Sequence, residues 1–166
     1  NASSKLTGAN ADGVLGQLNF TSNTAGTTAG LLSAPTSVFV DGSGNLWVAD
    51  KDNNRVMRFN SASGKPNGAN ADGVLGQLDF VSGTTGTTAS KFDAPWGVYV
   101  DVSGKLWVAD RFNSRVLRFD NAAGLTNGAN ANGVLGQTDF VTSTSGLTQS
   151  KFDGPRGVFM DGLGRL

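Results

Sequence analysis

Short apolar runs separated by polar turns recur along the whole chain. Residues 98–100, 106–109 and 116–119 are rich in Val, Leu, Phe and Trp. Clusters of Gly, Asn, Asp and Ser bound each run, a pattern typical of β-strands joined by tight turns. A glycine-rich turn then leads to a fourth run at residues 134–137. The pattern predicts four strands per unit, which we name inner, second, third and outer in chain order.

This unit repeats every 60 residues. The sequence Gly-Ala-Asn-Ala-Asp-Gly-Val-Leu-Gly-Gln begins at Gly8 and again at Gly68, and it returns at Gly128 with one substitution. Residues 8–59 align without gaps with residues 68–119, with 35 identities in 52 positions. We divide the chain into repeat 1 at residues 1–59, repeat 2 at residues 60–119 and a truncated repeat 3 at residues 120–166. A four-stranded unit with a fixed period predicts an all-β fold built of β-propeller blades.

The amino-acid composition limits which kinds of catalytic and metal site the chain can form. The 166 residues include 24 Gly and neither Cys nor His, and 13 basic side chains balance 13 acidic ones. The absence of Cys excludes disulfides and thiolate metal sites, and the absence of His removes the commonest general base and metal ligand. We therefore expect no catalytic site, no cofactor and no metal site. A net charge of zero argues against nucleic acid as the partner, and no apolar run is long enough to span a membrane.

Repeat 2 resembles the NHL repeat. The resemblance rests on Pro95-Trp-Gly-Val-Tyr-Val-Asp101, Gly104-Lys-Leu-Trp-Val-Ala-Asp110 and Asn113-Ser-Arg-Val-Leu-Arg-Phe119. Repeat 1 keeps most of this pattern and departs from it at Ser37, where the family has Gly. The rest of each repeat resembles a long-blade variant found in large bacterial NHL proteins. The resemblance implies a β-propeller, in a family with protein-binding, RNA-binding and lyase members.

Residues that recur in both complete repeats are expected to stabilise the blade, because a blade needs the same contacts wherever it occurs. They are Asp50, Arg55 and Trp47, with their counterparts Asp110, Arg115 and Trp107. We expect each aspartate to cap the turn between the second and third strands, with the arginine paired to it or to a neighbouring blade. Each tryptophan is expected to pack between blades. Ligand contact is the alternative role for these residues.

Positions at which the repeats differ are better candidates for binding. In an up-and-down sheet, alternate connections emerge at the same end, so the turn between the second and third strands shares a face with the long loop before the inner strand. That face is predicted to carry the partner-binding residues Trp96, Arg111, Phe112, Arg156 and Phe92. Aromatic and arginine side chains are favoured at protein interfaces. The alternative is that the aromatic side chains only cover the ends of the blade.

We expect a non-catalytic scaffold that binds a protein or glycan through this loop-rich face, outside the cell or at its surface. Two alternatives stay open. The chain is part of a larger lyase-like enzyme whose metal ligands lie in blades outside it, or it is an RNA-binding NHL domain.

The strand count also predicts an open structure. It gives an outer strand at residues 14–18, two blades at residues 36–80 and 96–140, and the start of an inner strand at residues 156–166. Propellers close with about four to eight blades, so both ends of this arrangement are open. We expect the open edges to meet further blades of a longer chain or other copies of the same chain.

Overall fold

The computed structural model describes residues 5–166, so the first four residues of the predicted repeat 1 lie outside it. It contains two four-stranded antiparallel sheets, each with its strands in chain order. The first sheet consists of β1 (Pro35–Val40), β2 (Leu46–Asp50), β3 (Arg55–Phe59) and β4 (Gly73–Leu75). The second consists of β5 (Pro95–Val100), β6 (Leu106–Asp110), β7 (Arg115–Phe119) and β8 (Gly133–Leu135). The predicted all-β fold is confirmed, and each sheet is one propeller blade.

A tight turn closes the hairpin between the first two strands of each blade. In the first blade, Asp41 Oδ1 accepts hydrogen bonds from the backbone N–H groups of Ser43 at 2.9 Å and Asn45 at 3.0 Å. Gly44 has φ of 79°, a left-handed conformation that glycine adopts without strain. The tight turn that the aspartate and glycine positions predict is therefore confirmed.

The outer strand of each blade comes from the following repeat. Gly73 and Val74 belong to repeat 2, yet they pair with Arg58 and Met57 of repeat 1. Outer strands have only three residues and end at a left-handed glycine, so the predicted outer strand at residues 134–137 is displaced to 133–135. The blade is thus out of phase with the sequence repeat, and this offset ties successive repeats together.

Two of the predicted strands are wrong. Residues 14–18 contain no strand and form bends at residues 15–18, and residues 156–166 contain no regular strand. Both segments have the sequence of a strand, but a strand needs a neighbour to satisfy its backbone N–H and C=O groups. Within the described residues, neither segment has a neighbouring strand of its own blade with which to pair.

The two blades pack against each other through side chains that recur in the repeats. Trp47 of the first blade is only 1% exposed and lies in the same apolar cluster as Ala122 of the second. Phe39 and Tyr99 meet edge to face with ring centroids 4.9 Å apart. The predicted packing role is confirmed for Trp47, whereas Trp107 is half-buried because the described residues contain no counterpart of Ala122 to cover it.

Candidate functional site

The loop before each inner strand meets the turn between the second and third strands, as predicted. In the first blade, the backbone N–H of Ser33 donates to Asp50 Oδ1 at 2.6 Å, and the N–H of Asp52 donates to the carbonyl of Ser33 at 3.1 Å. The same two bonds recur in the second blade between Asp93 and the 110–112 turn. These bonds define one face of the pair of blades, which we call the loop face.

Each blade contains a buried ion pair directly below the loop face. Arg115 Nε lies 2.8 Å from Asp110 Oδ2, and both side chains are fully buried. Asn113 donates to the same carboxylate oxygen at 2.8 Å. The equivalent pair in the first blade, Arg55 and Asp50, is separated by 2.7 Å and is equally buried. These residues serve the blade, as predicted from their recurrence, and the arginine is paired with the aspartate. The predicted capping of the turn is wrong, because the Asp50 carboxylate accepts from the preceding loop and from side chains and makes no capping bond to the turn backbone.

Arg115 also holds the loops that surround it. Its two terminal nitrogens donate to the carbonyls of Thr87, Thr88, Lys91 and Phe140. The first three carbonyls belong to the loop that precedes the blade, and the fourth belongs to the segment that follows β8. One guanidinium thus fixes the loops on both sides of the turn that carries residues 111 and 112. Such fixed loops make a pre-organised binding surface.

Two aspartates at opposite ends of the second blade have different environments. Burial raises the pKa of Asp110 to about 6, against the attraction of Arg115 and the hydrogen bonds from Asp93 and Asn113. At the opposite face, partial burial also acts on Asp101, but hydrogen bonds from Ser103, Trp107 and Lys105 lower its pKa below the usual value. Asp101 therefore keeps its charge more readily than Asp110 does.

Four of the predicted binding residues come together on the loop face. Arg111 stacks over Trp96, with its guanidinium carbon 4.6 Å from the ring centroid, and over Phe112 at 4.8 Å. Arg156 lies 5.3 Å from the same Trp96 ring. Lys51 reaches this ring from the first blade, with Nζ 5.9 Å from the centroid. We call these five residues the cation–aromatic patch.

The cations of the patch differ in how they are held. Lys51 forms an ion pair with Asp52 at 2.8 Å. Within the described residues, the side chains of Arg111 and Arg156 form no hydrogen bond and no ion pair. Their guanidinium groups lie over aromatic rings instead, and their N–H donors stay free for a ligand. Phe112 is 59% exposed and adds an apolar surface beside Arg111.

Phe92 does not belong to the patch, and its predicted contact role is wrong. The side chain is fully buried and packs edge to face on Phe119, with ring centroids 5.9 Å apart. Gly76, with φ of 89°, leaves the space that the ring fills, since a Cβ there would lie 2.3 Å from Phe92 Cδ2. Phe92 lies just before the inner strand and Trp96 near its start, but the side chain of Phe92 is buried in the core.

Sequence reasoning missed Lys51 as a member of the patch. The signal was available, because Lys51 precedes Arg111 by one repeat length and thus occupies the same slot. What the sequence does not give is the packing of the blades, which brings this slot of the first blade to the Trp96 ring of the second.

The side chains that the site presents are cations and aromatic rings. In the part of the chain that the structure describes, no group of three or more His, Cys, Asp or Glu side chains could hold a metal ion. No helix among residues 5–166 is long and apolar enough to cross a membrane. The patch instead offers stacked guanidinium groups and an exposed ring, which are features of binding surfaces.

Comparisons with known proteins agree with this architecture. Residues 92–119 match the model of the family described as NHL repeat, and this range covers β5 to β7 with the residues that shape the loop face. Over this range the chain is similar to the NHL repeat family. NHL repeats form β-propellers and generally mediate protein interactions, and the propeller architecture agrees with the two blades of this chain.

Two curated proteins that carry the same repeat are similar to this chain. NHL repeat-containing protein 3 of Homo sapiens is 30% identical over 98 residues, which cover 57% of this chain and 24% of that protein. The protein of the same name from Mus musculus is 31% identical over 98 residues, with the same coverage. The chain therefore matches about a quarter of the length of these relatives.

Proposed function

We propose that this NHL propeller segment is a non-catalytic scaffold that binds a partner protein through the loop face, with the cation–aromatic patch at the centre of contact. The observation that carries the proposal is the stacking of Arg111 and Arg156 on Trp96. Trp and Arg are the residue types that contribute most to binding at protein interfaces. No comparable cluster is required by the blade, since repeat 1 has Thr36 and Asp52 in the slots of Trp96 and Phe112.

The surrounding structure supports this role. The four carbonyls that Arg115 binds hold the loops beside the patch in one conformation. A binding surface that is rigid before contact loses less conformational entropy when the partner arrives. A glycan partner is less well served, because a sugar ring stacks on an open aromatic face and Trp96 is approached by three cations.

An unbiased peptide selection tests the proposal. Display-library peptides are selected on the intact chain, and their binding is then measured for Trp96→Ala and Phe112→Ser. The matched control is Val102→Ser, which changes a fully exposed side chain on the opposite face. We expect the patch variants to weaken binding at least about tenfold and the control to leave it unchanged. Selected peptides that bind the patch variants as tightly as the original protein would refute the proposed function.

A second binding role is favoured by one observation on the blade faces. Trp47 is buried by the second blade, whereas its counterpart Trp107 is half-buried in the described structure. We infer that the face carrying Trp107 receives a further blade, from a longer chain or from another copy of this one. Light scattering of the 166-residue chain tests self-assembly, with a mass that rises with concentration as the expected result. A mass of 17.0 kDa at every concentration would exclude assembly of this chain with itself.

A further inference from the structure

The free N–H donors of the patch indicate which chemical groups a partner would present to it. The guanidinium groups of Arg111 and Arg156 both approach the Trp96 ring, at 4.6 Å and 5.3 Å from its centroid. They therefore lie no farther apart than the sum of these two distances. Both groups present planar N–H donors without a protein acceptor in the described residues. Two such groups beside one ring suit carboxylates, which guanidinium binds with paired hydrogen bonds.

We propose that the loop face binds an acidic peptide segment of its partner, with carboxylates on Arg111 and Arg156 and an adjacent apolar side chain on Phe112. The proposal rests on the proposed function and specifies the partner for the same patch. Phe112 is 59% exposed and contacts the Arg111 guanidinium, so an apolar side chain and a carboxylate can be bound side by side.

The acidic side chains described on this face form no ion pair with Arg111 or Arg156. Asp52 is held by Lys51, and neither Asp93 nor Asp153 lies within ion-pair distance of Arg111 or Arg156. Their presence nevertheless keeps the local charge balanced. A segment with a few carboxylates can therefore pair with the two arginines. A long polyanion would also meet the acidic side chains of this face and would be repelled by them.

The same charges favour a peptide over RNA. Binding that is driven by phosphates needs an extended basic surface, and this chain has 13 basic against 13 acidic side chains. Single-stranded RNA is also bound by stacking of its bases on open aromatic rings. In this patch, the ring of Trp96 is shared by Lys51, Arg111 and Arg156.

A defined peptide pair tests the inference. A fluorescein-labelled peptide in which glutamates flank a leucine is compared with a peptide that has Gln for every Glu. Fluorescence anisotropy is measured at about 0.15 M salt, where distant surface charges are screened. We expect the Glu peptide to bind at least about tenfold more tightly than the Gln peptide, because only carboxylates accept the charge-assisted bonds.

The arginine contribution is measured with the double variant Arg111→Gln/Arg156→Gln. Its matched control, Lys105→Gln/Arg165→Gln, removes the same charge from the turns at the opposite face, where Arg165 binds Asp161. We expect about tenfold or greater loss for the patch variant and no change for the control. Circular dichroism and thermal unfolding check that both variants keep the fold.

Three results would overturn the inference: equal affinity for the two peptides, equal loss in the two double variants, or tighter binding of a labelled single-stranded RNA through the same arginines. Failure of the proposed function is distinguishable from these. If the display selection yields Trp96-dependent peptides without acidic residues, the loop face binds proteins and only the acidic class is wrong. If no selected peptide depends on Trp96 or Phe112, the proposed function itself fails.

Discussion

At the scale of single residues, the buried arginines are the most demanding feature of the chain. Arg115 is fully buried and donates to one carboxylate and four carbonyls. Its removal leaves Asp110 as an unpaired charge and the four carbonyls without a donor. Breaking a buried pair on one side typically costs about 3–5 kcal/mol, in contrast to exposed pairs.

We therefore expect Arg115→Met to lower the free energy of unfolding by at least about 3 kcal/mol. The control is Arg165→Met, because Arg165 is exposed and its pair with Asp161 is at the surface. That change should alter stability by less than about 0.5 kcal/mol. Urea titrations of both variants measure the difference. Similar losses in the two would show that Arg115 does not hold the loops as described.

The pH dependence of stability is a second residue-scale prediction. Burial raises the pKa of Asp110 to about 6 from an ordinary value of 3.8. Because the folded protein then binds this proton more tightly than the unfolded chain does, the contribution of Asp110 to stability is lost as the pH rises through about 6. Burial raises the pKa of Asp50 in the same direction.

We expect the free energy of unfolding to fall as the pH rises from 3.8 to about 6, the ordinary and the raised pKa of Asp110, and to level off above that. The side-chain carboxyl carbon of Asp110, followed by NMR, should titrate near the pKa of about 6 that burial gives it. Asp101 provides the contrast, since hydrogen bonds lower its pKa despite partial burial and its titration should lie below the usual range. An Asp110 signal that titrates together with Asp101 would contradict the assigned environments.

At the scale of elements, the two equivalent tryptophans show how much packing between blades contributes to stability. Trp47 is covered by a neighbouring blade, and within the described residues Trp107 is not. Trp47→Ala should lower the free energy of unfolding by about 3–5 kcal/mol, because the ring is buried between the blades. In dilute solution, where the chain is not associated with another copy, Trp107→Ala should cost less, because the ring is half-buried in the described structure. Denaturant titrations of the two variants check the order. Equal losses would mean that Trp107 is buried in solution, which is the result expected if another blade covers it.

A lysine in the loop before the inner strand gives a second element-scale prediction. Lys91 donates to Gln77 Oε1 at 2.8 Å, and Lys151 makes the same bond to Gln137 at 3.1 Å. Repeat 1 has Leu31 in this slot, and Gln17 Oε1 is buried without a partner among the described residues.

Leu31→Lys should therefore raise the free energy of unfolding by about 0.5–1.5 kcal/mol, the value of a typical hydrogen bond. Leu31→Met is the control, because it keeps the aliphatic stem and has no donor. Thermal unfolding of both variants tests the expectation. A gain shared by the methionine variant would assign the effect to packing rather than to the amide oxygen.

The elements also show where sequence reasoning reaches its limit. The hairpins, the Asp–Arg pairs and the common face of loops and turns follow from local patterns, and the structure contains them. Residues 14–18 have the same strand sequence as residues 74–78 but lack a neighbouring strand, so identical sequence gives different structure. Phe92 and Trp96 are both aromatic residues next to one strand. Only the packing of Phe92 against Gly76 and Phe119 separates a core side chain from a surface one.

At the scale of the whole molecule, the repeats have two functions. Side chains that are constant from repeat to repeat hold the blades together, and side chains that differ form the cation–aromatic patch on the loop face. Asn54 links these levels, since its side chain donates to the carbonyl of Gly83 and accepts from the N–H of Ala94. The turn of the first blade is thereby fixed to the loop that leads into Trp96.

The most direct test of this account is NMR mapping of a selected peptide on the intact chain. The backbone amide signals are followed while the tightest peptide from the display selection is added. The account predicts that shifts are confined to the loop face, at residues 51–54, 93–97, 111–114 and 153–157. Shifts concentrated at the opposite turns, residues 41–44 and 101–104, would contradict it.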